Sequence, residues 1–369
     1  MRMTSPIFWR SKPLAPGYLP PSPGAFFGDR TMITKNRRIA PEALLLLMLL
    51  ALAFCTSPAA HEVDHEPEPD HRHLLHGDSS AIRSLIDAFR ETGDDHYLDT
   101  AWQQLERDMA EQRPGADTLI NAATVAQARH DFELAQQFIE QALTINPGYD
   151  QAWLLSASIH LLRGETDAAR KACRRLRSAT LVAMLTCSAR VQIAEGQHSR
   201  ALLRLTAVLD AVDYSTENAT TLAWALSVAG DAATEVDRQQ AIGFYRQSLL
   251  INETTQVRAA LVDQLILSGQ FEIAEAALAA GHDALPLVVR QFVVARGLGK
   301  FDDVAAAVDH VDHEFRHWIS DADFAHAREM TRFYLDVVDR PDLARELAKI
   351  NLELQQEPED LRLADRAGV

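Results

Sequence analysis

One pattern recurs along most of this chain and limits what it can fold into. A helix-length apolar stretch ends in Gly or a polar residue, and five residues later a small or apolar residue opens a second amphipathic stretch. The spacing between successive units is about 34 residues, the length of one helix pair in helical repeat proteins. The turn residues and the residues that follow them are Gly93/Leu98, His130/Ala135, Gly164/Ala169, Gly196/Ala201, Val236/Ala241, Gly269/Ala274, Gly299/Val304 and Asp339/Ala344.

Each part of this pattern has a packing reason. Gly tolerates the positive φ that a tight turn between two helices requires. A small side chain just after the turn lets the two helices approach to about 8–10 Å. One such hairpin cannot bury its own apolar face, so successive hairpins must stack. Aromatic residues are only 7% of the chain, which further favours helix over sheet.

We therefore predict an all-α protein, an α-solenoid of about eight antiparallel helix pairs across residues 79–357, with essentially no strand. Residues 358–369 carry Pro358 and many charges, and we expect a C-terminal cap or a disordered tail there. The predicted pairs are 79–113, 116–149, 150–181, 182–214, 217–253, 255–281, 285–318 and 320–357.

Two neighbouring units match a known helical repeat in detail. In residues 150–181, Trp153, Gly164 and Ala169 stand where that repeat has Trp, Gly and Ala, with His160 in place of its Tyr. In residues 116–149, its second helix and closing Pro are matched by Phe132, Ala135, Ala142-Leu143 and Ile145-Asn146-Pro147. On these residues the chain resembles the tetratricopeptide repeat family, most strongly at 116–210.

The resemblance implies a superhelix whose concave face, lined by the first helix of each pair, holds a protein or peptide partner. One subclass of the family clamps acidic C-termini with Lys, Arg and Asn. The first helices at 116–129 and 150–163 carry no Lys, so that clamp is not indicated. The candidate partner-binding residues on this face are Asn121, Thr124, Gln127, Gln151, Ser158 and Arg190.

Charge and motifs narrow the function further. With 36 Lys and Arg against 52 Asp and Glu, the formal net charge is −16, and an acidic body repels phosphate backbones. We therefore expect a protein partner and no nucleic acid. The chain has no phosphate-binding Gly-rich loop, no Gly-x-Ser-x-Gly elbow and no Cys-x-x-Cys, so we predict a protein that is not an enzyme and needs no cofactor.

The N-terminal residues 1–59 are typical of a targeting segment. The apolar run Ala43–Phe54 is too short to span a bilayer comfortably, and it follows Lys35, Arg37 and Arg38. Small residues at Ser57 and Ala59 suit signal peptidase, which predicts a mature N-terminus at Ala60 in the periplasm.

Other readings of this segment stay open. Counted from Met32 the signal has the usual length, which makes residues 1–31 a spurious extension. The run ending at Cys55 resembles a lipobox, although Phe54 departs from its pattern; a lipoprotein facing the periplasm, or an uncleaved anchor, is the alternative. Membrane contact is expected only through the signal or a lipid.

Residues 60–78 are charged and almost free of apolar side chains, which predicts a disordered tail. Histidines interspersed with carboxylates there either chelate a transition metal or belong to a solvated spacer. The candidate metal ligands of this tail are His61, His65, His71, His73 and His76.

The sequence also contains two His-Glu-x-x-His strings, one at His61–His65 and one at His313–His317. The second lies in a predicted helix whose apolar stripe places His310, His313 and His317 on the opposite side, facing solvent or the groove. A zinc hydrolase needs a walled cleft and a third ligand, so we do not expect a protease site. The alternative to a scaffold is a metal-handling accessory protein, for which His310, His313 and His317 are candidate metal ligands beside the histidines of the tail. A zinc hydrolase is a more remote alternative.

Cys173 and Cys187 flank a predicted turn near residue 180, so an antiparallel hairpin brings them opposite each other. In an oxidising periplasm this arrangement favours a disulfide. The alternative is two small buried apolar side chains.

Overall fold

The computed structural model describes residues 79–111, 113–281 and 283–369, and its regular elements are all helical. Seventeen α-helices follow one another in this part of the chain, and a π-helical segment, Phe333–Val337, continues α15. The helices are α1 Ser79–Thr92, α2 His96–Glu111, α3 Ala116–Ala128, α4 Phe132–Ile145, α5 Asp150–Leu162, α6 Thr166–Cys173, α7 Leu181–Ala194, α8 His198–Ala211, α9 Ala219–Ala233, α10 Arg238–Ile251, α11 Thr255–Leu267, α12 Phe271–Ala279, α13 Leu285–Gly297, α14 Phe301–Ser320, α15 Ala327–Arg332, α16 Pro341–Leu354 and α17 Pro358–Ala367.

Helices α1 to α16 form eight consecutive pairs, each packed on the next. The predicted all-α solenoid of about eight helix pairs is therefore confirmed. After the eighth pair, α17 occupies residues that the sequence assigned either to a cap or to a disordered tail, and it packs on α16.

The turns within the pairs form where the pattern places them. Gly164 adopts a φ of 73°, in the left-handed region that favours glycine. Two turn positions without glycine, His130 and Asp339, adopt φ values of 58° and 57°. The fifth pair turns differently: the Asp237 side chain accepts hydrogen bonds from the Gln239 and Gln240 backbone amides and caps α10.

Small residues mark the helix crossings, as the repeat pattern predicts. Six alanines that follow the turns have no exposed surface, whereas Val304 in the seventh pair is half-buried. The close approach within each pair therefore rests on the absence of side-chain volume at these positions. The six alanines are Ala135, Ala169, Ala201, Ala241, Ala274 and Ala344.

The first pair meets the sixth, seventh and eighth pairs. The Thr255 hydroxyl, at the start of α11, donates a hydrogen bond of 2.7 Å to the Glu91 carbonyl. The turn after α1 also lies against Ala284, beside α13, and Asp95 lies 3.8 Å from His326 next to α15. The solenoid thus curves back on its own start, and we call the inner side of this curve, lined by the first helices, the concave face.

Within the described residues, no helix is long and apolar enough to cross a membrane.

Candidate functional site

The six residues predicted to contact a partner lie on first helices or at their starts, in different surroundings. Asn121 is buried in α3, and the Thr124 hydroxyl donates to the Ile120 carbonyl of its own helix. Gln127 is half-buried and Gln151 is exposed.

The structure brings two of the six into contact across neighbouring pairs. The Arg190 guanidinium on α7 donates a hydrogen bond of 3.2 Å to the Ser158 hydroxyl on α5. Both side chains are half-buried, so the contact lies at the concave face without being closed off from it. Partner binding by the six residues remains a prediction.

The concave face holds part of the same chain. Residues 355–369, which we call the C-terminal segment, reach helices far away in the sequence. The Gln356 backbone amide donates a hydrogen bond of 2.7 Å to the Leu162 carbonyl at the end of α5. Glu357 lies 3.6 Å from Arg190 on α7, and Arg362 lies 3.5 Å from Glu235, just after α9. The segment therefore lies against the first helices of the third, fourth and fifth pairs.

A group of four arginines faces this segment. Arg190, Arg290, Arg328 and Arg332, the concave arginine cluster, come from the first helices α7, α13 and α15. All four form ion pairs with carboxylates of the C-terminal segment. Positive charge from three pairs of the solenoid is thus collected on one surface.

Arg290 is the most enclosed member of the cluster, with 1% of its side chain exposed. It forms two hydrogen bonds of 2.8 Å to the Asp263 carboxylate on α11 and lies 3.2 Å from Glu329. A third carboxylate, Glu359 of the C-terminal segment, lies 3.0 Å away. Such multiple pairing is what a buried guanidinium requires to offset its lost hydration.

Arg328 depends on the C-terminal segment alone. It forms hydrogen bonds of 2.6 and 2.7 Å to the Asp360 carboxylate and one of 2.8 Å to Glu357. Its third carboxylate, Glu359, lies at 3.8 Å. Among the residues that the structure describes, every ion pair of Arg328 therefore goes to this segment.

The carboxylates of the segment are held in place by more than arginine. Asp360 is buried and accepts hydrogen bonds from the Asn351 amide at 2.7 Å and from the Glu357 backbone amide at 2.9 Å. Burial by itself would raise the pKa of Glu359, but the guanidinium groups of Arg328, Arg332 and Arg290 outweigh it and hold that pKa well below its usual range. Glu359 is thus ionised at neutral pH.

The sequence reasoning missed Arg290, Arg328 and Arg332. Arg290 interrupts the apolar run of α13, and Arg328 and Arg332 lie one helical turn apart on α15. A charge within an apolar helix stripe indicates a buried ion pair. That signal was available, whereas the identity of the carboxylates was not.

The histidines predicted as metal ligands do not form a site within the described residues. His310, His313 and His317 lie on the exposed side of α14, opposite buried Val311 and Phe315. Two further residues near the start of the next helix, Glu329 and His326, could supply a third ligand but contact other groups. Glu329 pairs with Arg290, and the ring of His326 lies 5.2 Å from that of Trp318. The described part of the chain contains no group of three His, Cys, Asp or Glu side chains that could hold a metal ion.

Other predictions concern residues outside the described part of the chain. These are the signal segment 1–59 and the tail 60–78, with its histidines His61, His65, His71, His73 and His76.

A disulfide joins Cys173, at the end of α6, to Cys187 on α7, with Cα atoms 5.7 Å apart. The bond links the third pair to the fourth. It therefore fixes α7, which carries Arg190, against the helices that precede it.

Comparison with known proteins identifies one stretch of this architecture. The family model of the tetratricopeptide repeat matches residues 126–181, from the end of α3 to the first residue of α7. These residues therefore contain a tetratricopeptide repeat. No curated protein matches the sequence of this chain.

Solved structures similar to this chain share little sequence with it. The pilF protein of Pseudomonas aeruginosa is 17% identical, with a TM-score of 0.40 over 57% of this chain and 94% of the other. A tetratricopeptide repeat protein from Parabacteroides merdae is 12% identical, with a TM-score of 0.38 over 79% of this chain and 100% of the other. The Cut9-Hcn1 hetero-tetramer of the APC/C is 17% identical, with a TM-score of 0.42 over 78% of this chain and 48% of the other.

Proposed function

We propose that this protein is a periplasmic or envelope-tethered scaffold that recruits a protein or peptide partner through the concave face of its solenoid. It acts by binding alone and performs no catalysis. The tetratricopeptide fold supports protein binding in general, and the concave face supplies the more specific support.

The observation that carries the proposal is the occupation of this face by the C-terminal segment. The face binds a stretch of polypeptide through a backbone hydrogen bond at Leu162 and through ion pairs that reach across several helix pairs. A surface with these properties suits a segment of another protein equally well, because main-chain amides and carboxylates occur in every partner.

Export is supported by two independent features. The basic flank, the apolar run Ala43–Phe54 and the small residues Ser57 and Ala59 form a signal peptide pattern. The disulfide between Cys173 and Cys187 suits an oxidising compartment. Mass spectrometry of protein from its native host tests the route, with Ala60 expected at the N-terminus; a lipid on Cys55 would instead show the envelope-tethered form.

Photo-crosslinking in living cells tests partner binding. A photoreactive amino acid replaces Gln127, which is predicted to face a partner, and separately Leu203, which is 72% exposed on the second helix α8. We expect a discrete protein adduct from position 127 and none from position 203. Adducts from position 203 alone, or from neither position, would contradict a concave-face scaffold.

The metal-handling alternative rests on histidines outside the described residues, and it stays a prediction.

A further inference from the structure

We propose that the concave arginine cluster binds an acidic segment of the partner, and that the chain's own Glu357, Glu359 and Asp360 occupy this site until the partner displaces them. The inference rests on the proposed scaffold function and names the chemistry of its partner. It also makes the C-terminal segment a competitor for the site.

The occupant defines the chemistry of the site. Three of the four residues from Glu357 to Asp360 are carboxylates, and together they pair with arginines from three different helices. Arginine forms two parallel hydrogen bonds to one carboxylate, as Arg328 does with Asp360. The site thus recognises closely spaced carboxylates on a short polypeptide.

Departure of the segment would affect the arginines unequally. Arg290 would keep Asp263 and Glu329, and Arg332 would keep Asp263. Arg328 would lose its carboxylates, and Arg190 would keep the Ser158 hydroxyl but lose Glu357.

This inequality decides which ligands can replace the segment. A guanidinium removed from water needs a charged partner, so an apolar ligand that covered Arg328 would bind unfavourably. An acidic ligand replaces each lost ion pair with an equivalent one. The exchange is therefore close to balanced, and modest extra contacts from the partner are enough to drive it.

The segment buries one leucine, Leu363, together with Ala364 and Ala367, and the two alanines pack with Ala348 and Leu352 of α16. Its described contacts with Arg190, Arg290 and Arg328 are ion pairs of its carboxylates. These ion pairs are the contacts that an acidic partner can reproduce. Tethering gives these carboxylates an effective concentration of about a millimolar, so an acidic ligand in solution binds weakly to the intact protein.

Fluorescence anisotropy on the full chain tests this competition. The probe is a fluorescein-labelled peptide with the sequence of residues 355–369, and a second peptide has Gln or Asn in place of its Glu357, Glu359 and Asp360. The variant Glu357→Gln/Glu359→Gln weakens the internal competitor. We expect it to bind the acidic peptide about tenfold more tightly than the wild-type protein does.

Matched variants separate the specific effect from net charge and from folding. Glu353→Gln/Asp365→Asn removes the same charge at exposed positions of α16 and α17 and should bind the peptide as the wild type does. Adding Arg328→Gln to the first variant should abolish the gain. A saturating amount of the acidic peptide should speed amide hydrogen exchange in α17 of the wild-type protein. The peptide is labelled with ¹³C, so that its mass distinguishes it from the same residues of the protein.

Several results would overturn the inference. One is that the wild type and Glu357→Gln/Glu359→Gln bind the acidic peptide with equal affinity; another is that the neutral peptide binds as tightly as the acidic one. The remaining two are that a short RNA of the same charge competes as well as the acidic peptide, or that amide hydrogen exchange in α17 does not change. If the peptide fails but position 127 still yields a partner adduct, the scaffold stands and the acidic site falls. If both fail, the scaffold proposal falls as well.

Discussion

Residues 116–181 and residues 285–369 are built from the same helix-pair unit but bury different chemistry. In the first region the buried residues of the core between α3, α4 and α5 are aliphatic apart from Phe132, and the ion pair between Arg163 and Glu133 is exposed. In the second region, the rings of Phe315 and Phe333 pack against each other, and the charged Arg290 is fully buried.

The difference separates two tasks within one repeat architecture. Regular pairs need only small residues at crossings and apolar stripes, and they build a scaffold. The second region breaks these rules with buried charges and a π-helical segment after Arg332, a feature that is frequent at functional sites. Departures from the repeat pattern thus mark the part of the solenoid whose buried arginines pair with the carboxylates of the C-terminal segment.

The largest difference between the regions should appear when one arginine is removed from each. Arg290→Met removes one of the two guanidinium groups that Asp263, Glu329 and Glu359 share and leaves Arg332 as the other. Because these carboxylates then lack a buried counter-charge, we expect a loss of about 3–5 kcal/mol in the free energy of unfolding. Arg163→Met, the matched change in the regular region, should cost at most about 1 kcal/mol because its ion pairs are solvent-exposed. Denaturant unfolding measures both, and equal losses would show that burial does not distinguish the two regions.

Reduction of the disulfide should weaken the regular region. Cys173 and Cys187 are 14 residues apart in sequence, and closing a loop of that size stabilises a protein by about 3 kcal/mol. We expect a reductant to lower the free energy of unfolding of the wild type by about this amount. It should leave the free energy of unfolding of Cys173→Ala/Cys187→Ala unchanged, because that variant has no disulfide to reduce. Two free thiols in freshly isolated protein would contradict the bond itself.

Overpacking the helix crossings gives a smaller effect. Ala169 has no exposed surface, so Ala169→Leu should cost about 1–3 kcal/mol. Ala201→Leu should behave in the same way. Val304→Leu, at the half-buried equivalent position in the seventh pair, should change the free energy of unfolding by less than either. If all three changes are small, the helices cross elsewhere.

The smallest effect concerns Asp231, which lies between the two regions. This residue is partly accessible to solvent, but the protein around its carboxylate reduces the hydration of the charge and raises the pKa to about 6. The hydrogen bond from Tyr245 and the charge of Arg190 act in the opposite direction and lower the pKa. Because the folded pKa exceeds the unfolded one, protonation favours the fold, and this group should add stability as pH falls from 7 towards 4. Carboxyl NMR titration should show the raised pKa, and Asp231→Asn should remove this part of the pH dependence; an ordinary pKa near 4 would contradict it.

The fold was predictable because its determinants are local. The residues Gly164 and Ala169 indicate a turn and a crossing by themselves, and the predicted pair boundaries follow from such positions. Irregular elements are harder to predict from the sequence. A pair is predicted to begin at residue 320, whereas α14 runs to Ser320 and α15 starts only at Ala327.

The site was predictable only in part. Ser158 and Arg190 were selected because first helices line the concave face, and they do contact each other. Arg328 and its carboxylates were missed because their meeting depends on how the solenoid curves. Small rotations between successive pairs add up to bring Gln356 onto Leu162, and no local pattern encodes that sum.

One measurement tests the central claim, that the concave face binds a partner in exchange for the C-terminal segment. The partner adduct from a photoreactive residue at position 127 is quantified in cells for the wild type, Glu357→Gln/Glu359→Gln and Glu353→Gln/Asp365→Asn, at equal protein levels. We predict a several-fold higher yield for Glu357→Gln/Glu359→Gln and an unchanged yield for the control. No adduct, or the same yield from all three proteins, would contradict the claim.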